Sequence, residues 1–346
     1  MRILCICLIL FILPIMTVSA TEATAPPVPE FAEEYMPEDT QSFAKGLWYV
    51  VKAGIYKLSP SLKEAFGLYL SLTAVAILCG IMRNVSQTGT KSVDFAAAVA
   101  VSLLLVKPSG ALVSLGAETV SELTDYGKLI LPTLTAALAA QGGVTTSAAL
   151  YAGTALFSSI LAGCIRSLLI PLLWIYLCLG IASGMLSEEM LLNLKNFVKW
   201  VITWTLKIIL YVFTGYMTIT GVVSGSADAA AIKATKLTIS GFVPVVGGII
   251  SDASEALLVS AGLVKSSIGI YGMLAVCAMF IGPFISIGIQ YILLKVCCAV
   301  CKVLGAQNAN KIMADFSKGM GMVLAMVATT TLLLVISTFC FMRGVL

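Results

Sequence analysis

Asp252 and Glu255, two carboxylates three residues apart, are the groups in this chain best placed to do chemistry, because they stand beside a Pro- and Gly-rich interruption of an apolar stretch. A spacing of three puts both on one face of a helix. One reading is a proton or cation relay, since carboxylates at membrane depth are costly and face a polar cavity or a pathway. The other is a cap: Asp252-x-x-Glu255 approximates a capping box, in which the Asp accepts from first-turn amides and the Glu reaches back. The cap is the simpler account, and both readings start a helix here. Asp252→Asn separates them. Asn caps as well as Asp, so complementation by this variant at wild-type protein level is expected of a cap, and failure at that level identifies a relay.

The interruption itself organises the chain. Ser224 to Gly272 gathers Asp228, Lys233, Lys236, Asp252, Glu255 and Lys265, and places Gly241, Pro244, Gly247 and Gly248 between charged groups, with Ser251 just before Asp252. The apolar run Gly241 to Ile250 covers about half of the roughly 20 residues that a helix needs to cross a bilayer, and its Pro and Gly residues break helical hydrogen bonding. A broken or re-entrant element is therefore expected, of the kind tolerated at membrane depth where protein buries it or water reaches it: a pore, a substrate site or a packing centre. Lys233 and Lys236 share one face of the Ala-rich segment Ala227 to Ser240, where snorkelling to headgroups is the simpler account.

The surrounding chemistry is sparse. There is no histidine, which removes Ser-His, Cys-His and His-ligated metal sites together. No GxxxxGK[ST] occurs, so any nucleotide energy must come from another subunit. Glu188-Glu189 and Gly180-Ile181-Ala182-Ser183-Gly184 resemble fragments of protease sites but lack their partners, and both read as ordinary helix-end residues. The cysteines beyond Cys5 and Cys7 lie in apolar runs and read as small core residues, the CxxC within Cys297, Cys298 and Cys301 included. No cofactor and no metal is implied. A net charge of +4 over 346 residues, without a basic block, gives no support to nucleic-acid binding.

These groups must be positioned by membrane helices. Only 11% of residues are charged and 59% are hydrophobic, where about a quarter are charged in a soluble domain. The fold class is all-α and polytopic, with roughly 7 to 9 crossings. Residues 1–20 read as a signal peptide ending Val18-Ser19-Ala20, with an uncleaved anchor as the alternative. Residues 21–64 form an acidic, Pro-rich extracytoplasmic lead-in and an interfacial helix over Phe43 to Tyr56. Residues 65–113 hold two spans, 65–82 and 93–113, the second ending at Lys107-Pro108. A half 114–223 carries spans 144–165, 168–186 and 201–223, and a half 224–346 carries one or two spans between 253 and 304 and a last over 320–342. Basic residues in short loops, Arg83, Lys91, Arg166, Lys233 and Lys236, favour the cytoplasm, as does the group Lys302, Lys311 and Lys318, and the acids Glu118, Glu122 and Asp125 face out. Leu131-Pro132 followed by Gly142-Gly143 parallels Val243-Pro244 followed by Gly247-Gly248, so the two halves read as a degenerate repeat, with chance similarity as the alternative. Paired interrupted segments point to a site at the repeat interface.

Residues Thr220 to Gly272, with the strings K-A-T-K, F-V-P-V-V-G-G and S-D-A-S-E, together with LPTLTAALAAQGG at 131–143, the leader and the acidic lead-in, resemble the stage III sporulation protein AE family of spore-forming Firmicutes. The resemblance covers essentially the whole chain. It implies a multipass protein made in the mother cell and placed in the outer forespore membrane during engulfment. It further implies membership in a secretion-like channel or feeding-tube complex with the other stage III A-operon membrane proteins, including a partner ATPase, and across the intermembrane space with the forespore stage II protein Q. Such a complex maintains the forespore and supports its late transcription. No catalytic residues carry over. Two functions are set against each other: a non-enzymatic subunit of that conduit in the lipid bilayer, and a self-sufficient secondary transporter or permease for a small solute or ion.

Overall fold

The computed structural model describes residues 26–37, 42–85, 90–140, 144–186, 188–219 and 267–343. Lipid offers a backbone no hydrogen-bond partners, so an apolar chain of this composition closes its amides within helices. Helices are what the described residues form: α1 (Glu30–Glu33), α2 (Phe43–Val85), α3 (Thr90–Ala140), α4 (Val144–Cys164), α5 (Ile170–Leu186), α6 (Glu189–Ile219), α7 (Ser267–Val303) and α8 (Gln307–Arg343), with a π turn at Ile165–Leu169 between α4 and α5. No strand occurs among the described residues. Six helices there are long and apolar enough to cross a membrane, and the protein is an all-α polytopic membrane protein.

The helices alternate in direction. Chain reversal between α7 and α8 is made by a Schellman turn: Gly305 takes φ 75°, its N–H bonds the Lys302 carbonyl at 3.3 Å, and the Ala306 N–H bonds the Cys301 carbonyl at 3.0 Å. Two residues of α2 mark its direction, Gly46 lying against Leu274 and Gly80 against Leu304, so α2 runs parallel to α7. Gly116 against Val323 and Gly127 against Leu334 set α3 parallel to α8. Gly319 against Leu177 and Gly184 against Ile312 set α5 antiparallel to it. The helix ends Val85 and Thr90, Leu186 and Glu189, and Val303 and Gln307 thus fall at one end of the bundle. Ile219 and Ser267, which flank residues 220–266, fall at the other.

The core is built around α8. In the apolar 18-residue stretch that qualifies Gln307–Met342 as a span, 78% is buried, against 28% of the corresponding stretch of Glu189–Met217 in α6. Its apolar side chains Ile312, Phe316, Met320, Val323, Val327 and Leu334 are almost wholly covered. Buried Thr329, Thr330, Thr331, Ser337 and Thr338 return their hydroxyls to carbonyls of the preceding turn, which lets α8 carry polar side chains through an apolar interior. Outer faces of α2, α3, α5 and α6 expose Phe66, Leu70, Leu103, Ile175, Phe197 and Trp200, as lipid-facing helices do.

Several sequence expectations are corrected. The spans 144–165 and 168–186 form one rod, because Arg166 lies inside the π turn and not in a loop; its Nη2 donates to Ser121 Oγ on α3 at 2.8 Å. The helix α3 does not end at Lys107-Pro108 but runs for 51 residues through Pro108 and Pro132. Proline removes an amide and leaves a carbonyl four residues back unpaired. Thr133 and Thr135 hydroxyls on Ile130 and Leu131 carbonyls, both at 2.7 Å, support the backbone around Pro132. The stretch Phe43 to Tyr56 is the first part of α2 and not a separate interfacial helix. At about 1.5 Å per residue the 51 residues of α3 exceed a hydrocarbon core of about 30 Å more than twofold, so α3 projects beyond it. The exposed charges Glu118, Glu122, Asp125 and Lys128 lie in its second half, with Lys128 Nζ 2.7 Å from Asp125 Oδ1.

Candidate functional site

The strongest polar constellation among the described residues stands where α5, α6 and α8 meet, near the end of the bundle that carries the short connections. On α6 the buried stripe Val198, Ile202, Leu206, Leu210, Phe213 and Met217 repeats every three or four residues. Lys195 occupies the next position of that stripe toward the N-terminus. Packing of the stripe therefore carries the Lys195 side chain inward, where 6% of it is accessible. It meets Asp315, the acidic residue of α8, whose side chain is 3% accessible. Lys195 Nζ lies 2.6 Å from Asp315 Oδ2 and donates also to Ser183 Oγ at 3.0 Å. The Ser183 hydroxyl in turn donates to the Gly180 carbonyl at 3.2 Å. Tyr176, about one turn before Gly180 on the inner face of α5, donates to Asp315 Oδ1 at 3.3 Å, and Lys318 Nζ approaches the same oxygen at 3.2 Å from within α8.

Glycine makes room for this arrangement. A Cβ at Gly180 would stand 3.0 Å from Asp315 Cβ, so the absence of a side chain is what lets α5 approach α8 at the carboxylate. Burying an ion pair costs several kcal/mol per ion in desolvation, which the pair's attraction repays only when its remaining hydrogen bonds are filled. Here most of them are: both carboxylate oxygens are engaged, and two of the three ammonium N–H groups have acceptors. The consequence is interhelical register. Any slip of α6 or α5 along α8 would strand a charge in the interior, whereas an apolar contact would tolerate it.

Glu188 and Glu189 stand at the start of α6, where the helix dipole favours acids, in keeping with their reading as helix-end residues. Gly180 to Gly184 is more than a helix end, because Gly180 and Ser183 build the charge centre. The thiols of Cys79, Cys277, Cys297, Cys298, Cys301 and Cys340 are buried in packing contacts, Cys301 Sγ lying 3.6 Å from Met313 Sδ, while Cys178 is exposed. Of the residues that the sequence singled out, Pro132 is exposed within the continuous α3. Gly142, Gly143, Asp228, Lys233, Lys236, Pro244, Gly247, Gly248, Ser251, Asp252 and Glu255 lie outside the described residues. Sequence reasoning passed over Lys195 and Asp315 and read Lys318 as a topology signal alone. A lysine on an apolar stripe and a lone acid in a 37-residue apolar helix were the signals available.

The amino-acid sequence matches a known family. The model of Stage III sporulation protein AE aligns with residues 37–343. The chain belongs to the stage III sporulation protein AE family. A relative, Stage III sporulation protein AE of Bacillus subtilis (strain 168), is 24% identical over 277 residues, covering 79% of this chain and 69% of the relative. No solved structure matches. The matched region of the family takes in α2 to α8 and hence Tyr176, Gly180, Ser183, Lys195, Asp315 and Lys318. Membership establishes a sporulation protein of multipass membrane character.

Proposed function

We propose that this chain is a non-enzymatic membrane subunit of the stage III A secretion-like conduit, the channel or feeding tube between mother cell and forespore, seated in the outer forespore membrane. Its energy comes from a partner ATPase, and its neighbours are the other stage III A-operon membrane proteins and, across the intermembrane space, stage II protein Q. The observation that carries the subunit reading is the saturation of Asp315. A transporter's carboxylate alternates between a bound ion or proton and an open pathway. The Asp315 carboxylate is instead engaged by Lys195, Lys318 and Tyr176 and serves as a clamp between helices.

Orientation supports the same reading. Arg83 and Lys91 flank one short connection and Lys302 and Lys311 another, at the same end of the bundle, and the positive-inside rule puts that end in the mother-cell cytoplasm where an ATPase would dock. The acidic helix α1 packs toward the other end, Tyr35 lying against Gly282 of α7, on the side that would face the intermembrane space. The test is to purify the chain from sporulating cells and to reconstitute it alone. Co-purification of the ATPase with the wild-type chain, together with no solute movement by the lone chain under an ion gradient, is the expected result. Gradient-driven transport by the chain alone would overturn the reading in favour of a secondary transporter.

A further inference from the structure

We propose that copies of this chain associate head to tail in the membrane, the outer face of α6 on one copy seating against the outer face of α3 on the next. Within one chain α3 and α6 each pack on the α4–α5 rod and on α8 rather than on each other, so their outer faces are separate surfaces. Each face carries charges with no opposite partner among the described residues: exposed Lys107, Glu118 and Glu122 on α3, exposed Glu189 and half-buried Lys207 on α6. The signs run in opposite order, basic then acidic along α3 and acidic then basic along α6. Their heights agree. Lys195 bonds Asp315, so Lys207, twelve residues further along α6, stands near the level of Val327 on α8. Gly116 lies against Val323 and Val327, which puts Glu118 and Glu122 near that same level on α3. By the same counting Lys107 and Glu189 fall near Ala314 and Ala309, about 8 Å apart in height and within reach of two long side chains.

Between the charges the two faces differ in bulk. On α6 the exposed rings of Phe197, Trp200 and Trp204 follow one another at 6.1 and 6.0 Å, with Lys207 Nζ 5.9 Å from the centre of the Trp204 ring. At the matching height α3 exposes Ala111 and Ser114, and small side chains on one helix let another approach closely. Lipid serves this stretch less well. Lys107 and Glu118 stand eleven residues apart, about 16 Å against a hydrocarbon core of about 30 Å, so acyl chains covering the face would meet a charge at one end or the other. A second copy brings the opposite charge to each end, and the bilayer holds all copies at one height and in one orientation. Because the two faces differ, the contact is heterologous, and a pair keeps one α3 face and one α6 face free for further copies.

The test cross-links full-length chains in membranes, two differently tagged copies being co-produced and treated with a short bis-maleimide after the accessible Cys164 and Cys178 are replaced by Ser. Ser114→Cys on one copy with Trp200→Cys on the other should give a mixed dimer. Two controls should give at least fivefold less: Ser114→Cys on both copies, and Ser114→Cys with Leu70→Cys, which is exposed on α2 at a similar height. Lys207→Glu in the Trp200→Cys copy should cut the yield at least fivefold, and Glu118→Lys with Glu122→Lys in the Ser114→Cys copy should restore it. A mixed-dimer yield no higher than the controls, a yield untouched by Lys207→Glu, or cross-linking of both cysteines only to other proteins would overturn the proposal.

Discussion

Asp315→Ala is expected to be among the most damaging single changes in the chain. It leaves the Lys195 ammonium buried at the α5–α6–α8 junction with Ser183 as its remaining partner. Removing one member of a buried pair typically costs about 3–5 kcal/mol, because the survivor keeps its desolvation penalty. Against a total stability of about 5–15 kcal/mol that is a large fraction. The thermal midpoint of the purified protein should fall steeply and little protein should accumulate in membranes. Two companions give the result its meaning. Lys195→Met with Asp315→Leu removes both charges and should lie much nearer wild type than either single change, since apolar replacements of buried pairs are often neutral. Lys318→Gln should be mild, because that side chain is 45% accessible and exposed pairs contribute about 0–1 kcal/mol. If Asp315→Ala is no worse than Lys318→Gln, the carboxylate is not the keystone described here.

Gly180→Leu is the second large effect. A Cβ at that position already comes within 3.0 Å of Asp315 Cβ, and the rest of a leucine has no space unless α5 moves off α8. Overpacking of a well-filled contact costs about 1–3 kcal/mol, occasionally more. Here the displacement also pulls Tyr176 and Ser183 away from their charged partners, so the two penalties reinforce each other. Gly163→Leu and Gly215→Leu test the explanation, because a Cβ at either meets nothing within 4 Å. Both should keep the wild-type thermal midpoint, while Gly180→Leu should lower it by several degrees. Similar midpoints for all three would show that α5 and α8 are not in tight contact.

The sequence made the class of the fold plain and misplaced its punctuation. An 11% charged fraction leaves little option but membrane helices. Reading Pro108 and Arg166 as ends failed for physical reasons. A proline near the outside of a packed helix loses one hydrogen bond without ending the helix, and a π turn absorbs the irregularity around Arg166 while its guanidinium finds Ser121. Read as breaks, those residues divide one rod into two spans.

The charge centre was legible in halves. Periodicity of the α6 stripe pointed Lys195 inward, and a single carboxylate in α8 demanded a partner. What the residues could not reveal is that they meet, since 120 positions separate Lys195 from Asp315 and the meeting depends on how α5, α6 and α8 pack. Gly180 and Ser183 looked inert for the same reason: their roles exist only once Asp315 is opposite them. The Pro-Gly-Gly element around Pro244, with Asp252 and Glu255, lies outside the described residues, and the Asp252→Asn comparison remains its direct test.

The central claim is that Lys195 and Asp315 hold α6 to α8 as a matched pair, and exchanging the two residues tests it most directly. Lys195→Asp and Asp315→Lys should each abolish membrane accumulation and sporulation, and the two together should restore a substantial part of both. A double exchange as defective as either single change, or single exchanges that behave as wild type, would contradict the account.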